Sequence, residues 1–315
     1  MTGKPKIVML DAYVANPGDT TWDPISNLGD LTLFDRTPIN QIVERATGAD
    51  IVIVNKAKVR EEHINELPNL KLICVLATGM DNVDYKYARS KGIEVKNAVG
   101  YGSTAVAQQA FALLLELTNN VALHNTSVQN LEWTHNDDWC YWKKGITELH
   151  DKTLGIYGLG SIGKAVAKIG EAFGMQIAVT SSHAKQSDYP NWKLVDLEEL
   201  FTISDVISLH APLTSANEKI VNTQLLHKMK KTAFLINTGR GGLINESDLR
   251  QALQEKQLAG AGLDVLSIEP PAKDHPLLGL DNCLITPHHA WAARESRVRL
   301  IGMVADNIRE FLAKV

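Results

Sequence analysis

The chain has 315 residues, 44% hydrophobic and 22% charged, with 32 basic against 36 acidic side chains, a formal net charge of −4, and 3 cysteines. That length suggests two domains, each able to bury a core without metal or disulfide staples, and the composition excludes a disordered or collagen-like chain. The slightly acidic balance provides no global positive field, so neither nucleic acid nor an anionic membrane is expected as a partner, and the scattered Cys74, Cys140 and Cys283 suggest neither disulfides nor a metal site.

After Lys4 and Lys6, the apolar run at residues 7–10 is too short for a signal-peptide core and leads directly into Asp11. No uncharged apolar stretch approaches the roughly 20 residues that span a bilayer. A soluble chain in a reducing cytosol is expected. Residues 7–10, 31–34, 50–54 and 70–76 read as strands, with helical spacing at 39–46, 61–67 and 83–90 between them. Such alternation is the pattern of a parallel sheet covered by helices. A long apolar helix follows over about 103–121. Residues 125–150 are polar and aperiodic and read as an exposed loop or arm, whose Trp133, Trp139, Tyr141 and Trp142 either face a partner or simply pack.

A second series begins at Thr153. Strands are expected at 153–157, 176–180, 205–210, 233–237, 259–265 and 282–286, and helices near 162–173, 196–201, 224–229 and 246–257. Six strands in this arrangement suit a complete dinucleotide-binding sheet. A last helix, about 293–312, lies outside that count and would pack back on the first domain, making it discontinuous in sequence.

Within the second series, Gly158-Leu159-Gly160-Ser161-Ile162-Gly163 fits GxGxxG, and it follows a strand and opens a helix, the context that gives the hexapeptide meaning. Gly158 permits a tight turn, Gly160 lets backbone approach a pyrophosphate, and Gly163 allows close helix–sheet packing, with the N–H groups of Ser161 and Ile162 facing the anion. At the end of the next strand a carboxylate normally binds the ribose 2′-hydroxyl of NAD. Here Ser181, Ser182, His183 and Lys185 stand there, with no acid among residues 177–185. That removes the usual bias against NADP and supplies hydroxyl and cationic donors, so NADP or dual use is expected, with NAD held through other contacts as the alternative.

Arg240, Glu269 and His288 each follow a predicted strand of this series, at the sheet edge where open α/β folds place their ligand site. Together with 78–84 (TGMDNVD), the glycine loop, 210–214 (HAPLT), 237–241 (NTGRG), 262–265 (GLDV) and 286–288 (TPH), they resemble the D-isomer-specific 2-hydroxyacid dehydrogenases over nearly the whole chain. The run 105–109 (AVAQQ) and Tyr101 are most similar to the glycerate dehydrogenase and hydroxypyruvate reductase branch. The resemblance implies two doubly wound parallel-sheet α/β domains, a Rossmann cofactor domain at 101–289 inserted into a flavodoxin-like substrate domain formed by 1–100 and 290–315. It also implies a homodimer through the cofactor domain, near residues 133–142, and catalytic groups facing the cleft between the lobes.

The chemistry implied is hydride transfer between NAD(P)H and a small 2-keto acid, giving the D-2-hydroxy acid. His288 would be the general acid, since an imidazole exchanges protons near neutrality; His289 beside it is the competing assignment. Glu269 would fix the tautomer of His288 and keep its acid form available. A carboxylate there argues against a formate dehydrogenase, which carries an amide at that position. Arg240 would bind the keto acid and polarise its carbonyl, and it also borders the cofactor, as does His288. By resemblance, Thr78 and Gly79 offer N–H groups to the substrate carboxylate and Tyr101 adjoins the substrate. Asp264 would lie near the nicotinamide carboxamide, while Val106, His210, Pro212 and Thr238 line the cofactor cleft. Hydroxypyruvate or glyoxylate is the expected substrate type. The alternatives are D-lactate or 3-phosphoglycerate dehydrogenation and, in a different class, a nicotinamide-sensing corepressor-like binding protein.

Overall fold

In the computed structural model, which describes residues 3–314, the chain divides into two units, Met1–Gly102 with Trp291–Val315, and Ser103–Ala290. The first unit runs β1 (Lys6–Met9), α1 (Ala12–Ala15), α2 (Asp23–Ser26), β2 (Asp30–Leu33), α3 (Ile42–Ala46), β3 (Ile51–Val54), α4 (Glu61–Asn65), β4 (Leu72–Val75), α5 (Tyr85–Ser90) and β5 (Glu94–Asn97). Its five described strands are parallel, in the order β2-β1-β3-β4-β5. That is the flavodoxin-like order. β3 and β4 bury every side chain because helices cover both faces.

The second unit contains α6 (Ser103–Asn119), α7 (Val121–Gln129), β6 (Thr153–Tyr157), α8 (Ser161–Ala172), β7 (Gln176–Thr180), β8 (Lys193–Leu194), α9 (Leu197–Ile203), β9 (Val206–Leu209), α10 (Thr223–Leu226), β10 (Phe234–Asn237), α11 (Glu246–Gln254), β11 (Gly260–Leu263) and β12 (Cys283–Ile285). Its parallel sheet has the order β12-β11-β10-β9-β6-β7-β8. Numbered from β6, that is the doubly wound 3-2-1-4-5-6 order with one further strand.

The strand count differs from the one expected, although β12 itself lies within the predicted strand 282–286. Seven described strands stand where six were expected, because β8 is a two-residue edge with too little apolar pattern to register. β5 was likewise missed: in EVKN only Val95 is buried. The segment expected to be irregular from residue 125 is helical through Gln129 as α7, whose apolar face is weak, and only afterwards loses regular structure. Trp139 is 89% exposed, and Trp133 and Trp142 are also exposed, so these indoles are not core packing.

The last helix, α12 (Arg294–Leu312), belongs to the first unit. Two parallel bonds from the Arg297 guanidinium reach the Asp19 carboxylate at 2.7 and 2.6 Å, and Arg299 Nε donates to the Tyr101 carbonyl at 2.9 Å. A planar fork on a carboxylate fixes orientation as well as distance, which helps seat the C-terminal helix on that unit.

Candidate active site

Register aligns Thr180, Tyr157, Leu209, Asn237, Leu263 and Ile285 in one row across the second unit's sheet. One residue past each stand Ser181, Gly158, His210, Thr238, Asp264 and Thr286. The candidates that lay far apart in sequence thus share one edge, at the C-terminal ends of parallel strands.

At β6 the chain enters the glycine loop. Gly158 has φ +96°, and a Cβ there would stand 2.4 Å from Ala211 N; one at Gly163 would stand 2.2 Å from the Gly158 carbonyl oxygen. Both positions therefore require glycine, one for the turn and one for helix-to-loop contact. Nothing lies within 4 Å of the corresponding point at Gly160. No side chain caps the α8 N-terminus, which leaves its first N–H groups directed at that open side. Thr238 Oγ1 and His210 Nδ1 are buried on the same sheet edge without a hydrogen-bond partner. An open phosphate cradle and two orphaned polar atoms are the features that a bound dinucleotide would complete.

Burial pushes the His210 pKa down to about 3, and Ser208 Oγ lies 2.8 Å from its Nε2. An unfolded histidine takes up its proton near pH 6.5. Between those values the unfolded chain binds more protons, so stability falls as pH drops from about 6.5 toward 3. We expect His210→Gln to blunt that acid loss: its Tm should fall less than the parent's between about pH 7.5 and about pH 5. An equal fall in both proteins would contradict the assignment.

Beyond β11 and β12 lie His288 and Glu269. His288 Nδ1 and Glu269 Oε2 are 2.6 Å apart, and Glu269 Oε1 accepts the Leu266 N–H at 3.0 Å. The contact through Nδ1 assigns Glu269 to His288 rather than to its neighbour His289. His288 has φ +51°, uncommon for a residue with a side chain. Its N–H donates to the Asp264 carbonyl at 2.9 Å. The Asp264 carboxylate then accepts Thr286 Oγ1 at 2.6 Å, His289 N at 3.1 Å and Ala290 N at 2.9 Å. The surrounding bonds over-determine an otherwise costly backbone conformation, as is usual at functional turns.

The family model for the D-isomer specific 2-hydroxyacid dehydrogenase NAD binding domain matches residues 111–290, all within the second unit. A hydroxypyruvate reductase of Blautia hydrogenotrophica is 43% identical over 311 residues, covering 98% of this chain and 97% of that protein. The chain belongs to the D-isomer-specific 2-hydroxyacid dehydrogenase family. A glycerate dehydrogenase of Methylorubrum extorquens is 40% identical over 275 residues, 87% of this chain and 86% of that one. Among solved structures, an acyclic imino acid reductase in complex with NADPH and D-Arg aligns with a TM-score of 0.86 at 32% identity, covering 98% of this chain and 97% of that one. As a D-2-hydroxyacid dehydrogenase this protein is an oxidoreductase acting on CH–OH groups, with an NAD(P)-binding second unit.

Asp264, which the resemblance places near the nicotinamide carboxamide, is 1% exposed, and its carboxylate accepts bonds from the turn that carries His288. Arg240 follows β10 on a loop held by Asn237, whose Nδ2 donates to the Arg240 carbonyl at 2.9 Å and whose Oδ1 accepts Gly239 N at 3.0 Å. Arg240 Nη1 donates to the Gly239 carbonyl at 3.0 Å. In the sequence Asn237 stands out only as part of the motif 237–241, but an asparagine ahead of a glycine turn is a signal for this kind of staple. Val106 is buried on α6, Pro212 is exposed, and Ser182 lies on an exposed loop with Ser181 half-buried beside it.

Thr78, Gly79 and Tyr101 belong to the first unit. Thr78 and Gly79 follow β4 by a few residues, Thr78 Oγ1 donating to the Ala98 carbonyl at 3.1 Å and Asn97 Nδ2 to the Thr78 carbonyl at 2.6 Å. Tyr101 is buried, with its ring edge-on to Trp291 at 6.4 Å. Among the described residues no group of three or more His, Cys, Asp or Glu side chains could hold a metal ion, and no helix is long and apolar enough to cross a membrane.

Proposed function

We propose that the protein reduces a small 2-keto acid of the hydroxypyruvate or glyoxylate type to the D-2-hydroxy acid with NAD(P)H, and catalyses the reverse oxidation. The observation that carries this reading is the 2.6 Å contact between His288 Nδ1 and Glu269. With Nδ1–H donating to the carboxylate, the proton exchange with the substrate oxygen is assigned to Nε2. A nicotinamide cofactor, when bound, supplies the hydride. His288 protonates the oxygen of the developing alkoxide and takes that proton back in the oxidation direction. Glu269 holds the ring's tautomer and balances its positive charge in the acid form. The Arg240 fork binds the keto acid and polarises its carbonyl. The N–H groups of Thr78 and Gly79 are assigned to the substrate carboxylate, as the family resemblance implies. The relatives named hydroxypyruvate reductase and glycerate dehydrogenase support the choice of substrate class.

For the cofactor, the loop Ser181, Ser182, His183 and Lys185 offers donors and no carboxylate to repel a 2′-phosphate, which favours NADP or dual use. The test is a panel of hydroxypyruvate, glyoxylate, pyruvate and 3-phosphohydroxypyruvate, each run with NADH and with NADPH. The first two should have the highest kcat/KM. A clear preference for pyruvate or the phosphorylated acid would move the assignment to D-lactate or 3-phosphoglycerate dehydrogenation, and turnover of none would overturn it. In the same panel Ser181→Asp should weaken NADPH use by about ten-fold through like-charge repulsion, with NADH little affected. Unchanged NADPH kinetics would refute the reading of that loop.

A further inference from the structure

Between β11 and β12 the chain makes a long irregular excursion, and Glu269 lies on its outermost part: residues 267–274 are all exposed, Ile268 by 71%. An exposed segment of this kind is expected to be mobile unless its ends are tied. Both ends meet one side chain. Glu246, the first residue of α11, accepts Ser267 N at 2.8 Å on Oε1, and Ser267 Oγ on Oε2. Its Oε2 also meets His275 Nε2 at 3.2 Å. His275 Nδ1 accepts the Leu277 N–H at 3.3 Å, so the ring proton sits on Nε2 and His275 donates to Glu246.

These donors are well placed for strength. The side chains of His275 and Glu246 are only 7% and 13% exposed, although the segment they flank is in water. The carboxylate also lies in the first turn of α11, where the helix dipole favours negative charge. Charge-assisted hydrogen bonds of this kind are roughly twice as strong as neutral ones. Leu277, two residues past His275, is fully buried and anchors the returning chain in the core.

We propose that Glu246, acting through Ser267 and His275, is a positioning residue for Glu269: it closes the base of the 267–274 loop and so holds the Glu269 carboxylate on His288. The proposal rests on the acid–base reading of the His288–Glu269 pair. It predicts that a residue with no contact to substrate or cofactor limits the proton-transfer step specifically. The loop would still form without the latch, but Glu269 would spend less time at hydrogen-bonding distance.

The test is a double-mutant cycle of Glu246→Ala with Glu269→Gln, read as kcat and keto-acid KM, with NAD(P)H affinity measured by fluorescence titration. Glu246→Ala alone should lower kcat by about ten-fold with KM and cofactor affinity within about two-fold. In the Glu269→Gln background the same change should cost less than about two-fold, because the group it positions is already lost. Equal losses in both backgrounds, or no loss in either, would overturn the proposal. If Glu269→Gln itself leaves kcat unchanged, the acid–base reading fails instead, which separates the two. Should Glu246→Ala fail to fold, Ser267→Ala and the pair His275→Ala and His275→Gln are put through the same cycle. His275→Gln, whose amide still donates, should recover most of the rate lost in His275→Ala, and loss of that difference would overturn the proposal.

Discussion

Replacing His288 by alanine should lower kcat for 2-keto acid reduction by roughly 10²–10⁴, the usual contribution of a positioned general acid. The size of the effect follows from how completely the structure commits this residue. Its ring is held by Glu269 at 2.6 Å and its left-handed backbone by the carbonyl of Asp264 at 2.9 Å. The Asp264 carboxylate ties down the rest of the turn. A variant that turns over hydroxypyruvate or glyoxylate as fast as the parent would show that the proton comes from elsewhere. The same assay on His289→Ala discriminates the neighbours, since only the His288 change should cost the full factor.

The second large effect is expected at Arg240. Arg240→Gln should lower kcat/KM for the keto acid by about 10² or more, since a hydrogen bond to a charged group contributes about 1.5–3 kcal/mol and more than one is lost. Arg240→Lys should recover only part of it, because an ammonium keeps the charge but not the planar fork. Steady-state kinetics with varied keto acid measure both. The loop itself should survive, because Asn237 ties it through the Arg240 carbonyl and Gly239 N, which are backbone atoms that the substitution leaves in place. If Arg240→Lys matched the parent, bidentate recognition would be ruled out.

Much of this was legible in the chain. The runs that become β3 and β4 are wholly apolar, and those of β9 and β10 carry one polar residue each, Ser208 and Asn237; all four are buried throughout, a pattern that announces a parallel sheet. Gly158 and Gly163 are forced by contacts of 2.4 and 2.2 Å, and the sequence context of a strand before them and a helix after them already implied as much. What escaped was short or weakly patterned. β8 has two residues, β5 turns one valine into the core, and α7 has little amphipathic contrast. Periodicity cannot register a strand of one or two repeats with at most one buried side chain, or a helix without a contrasting face.

The sequence by itself determined the class of the molecule. Alternating strand and helix patterns, one glycine loop and a set of ordered motifs pointed to a two-part α/β dehydrogenase and to Arg240, Glu269 and His288. Only the tertiary structure decided how those residues are held. Asp264 ties the His288 turn, Asn237 the Arg240 loop, and Glu246 the two ends of the Glu269 segment, 21 and 29 residues away along the chain. The reason is physical: patterning reports which face of an element is buried. Hydrogen bonds between loops depend instead on the register that aligns the ends of separate strands, and that register exists only once the sheet has assembled.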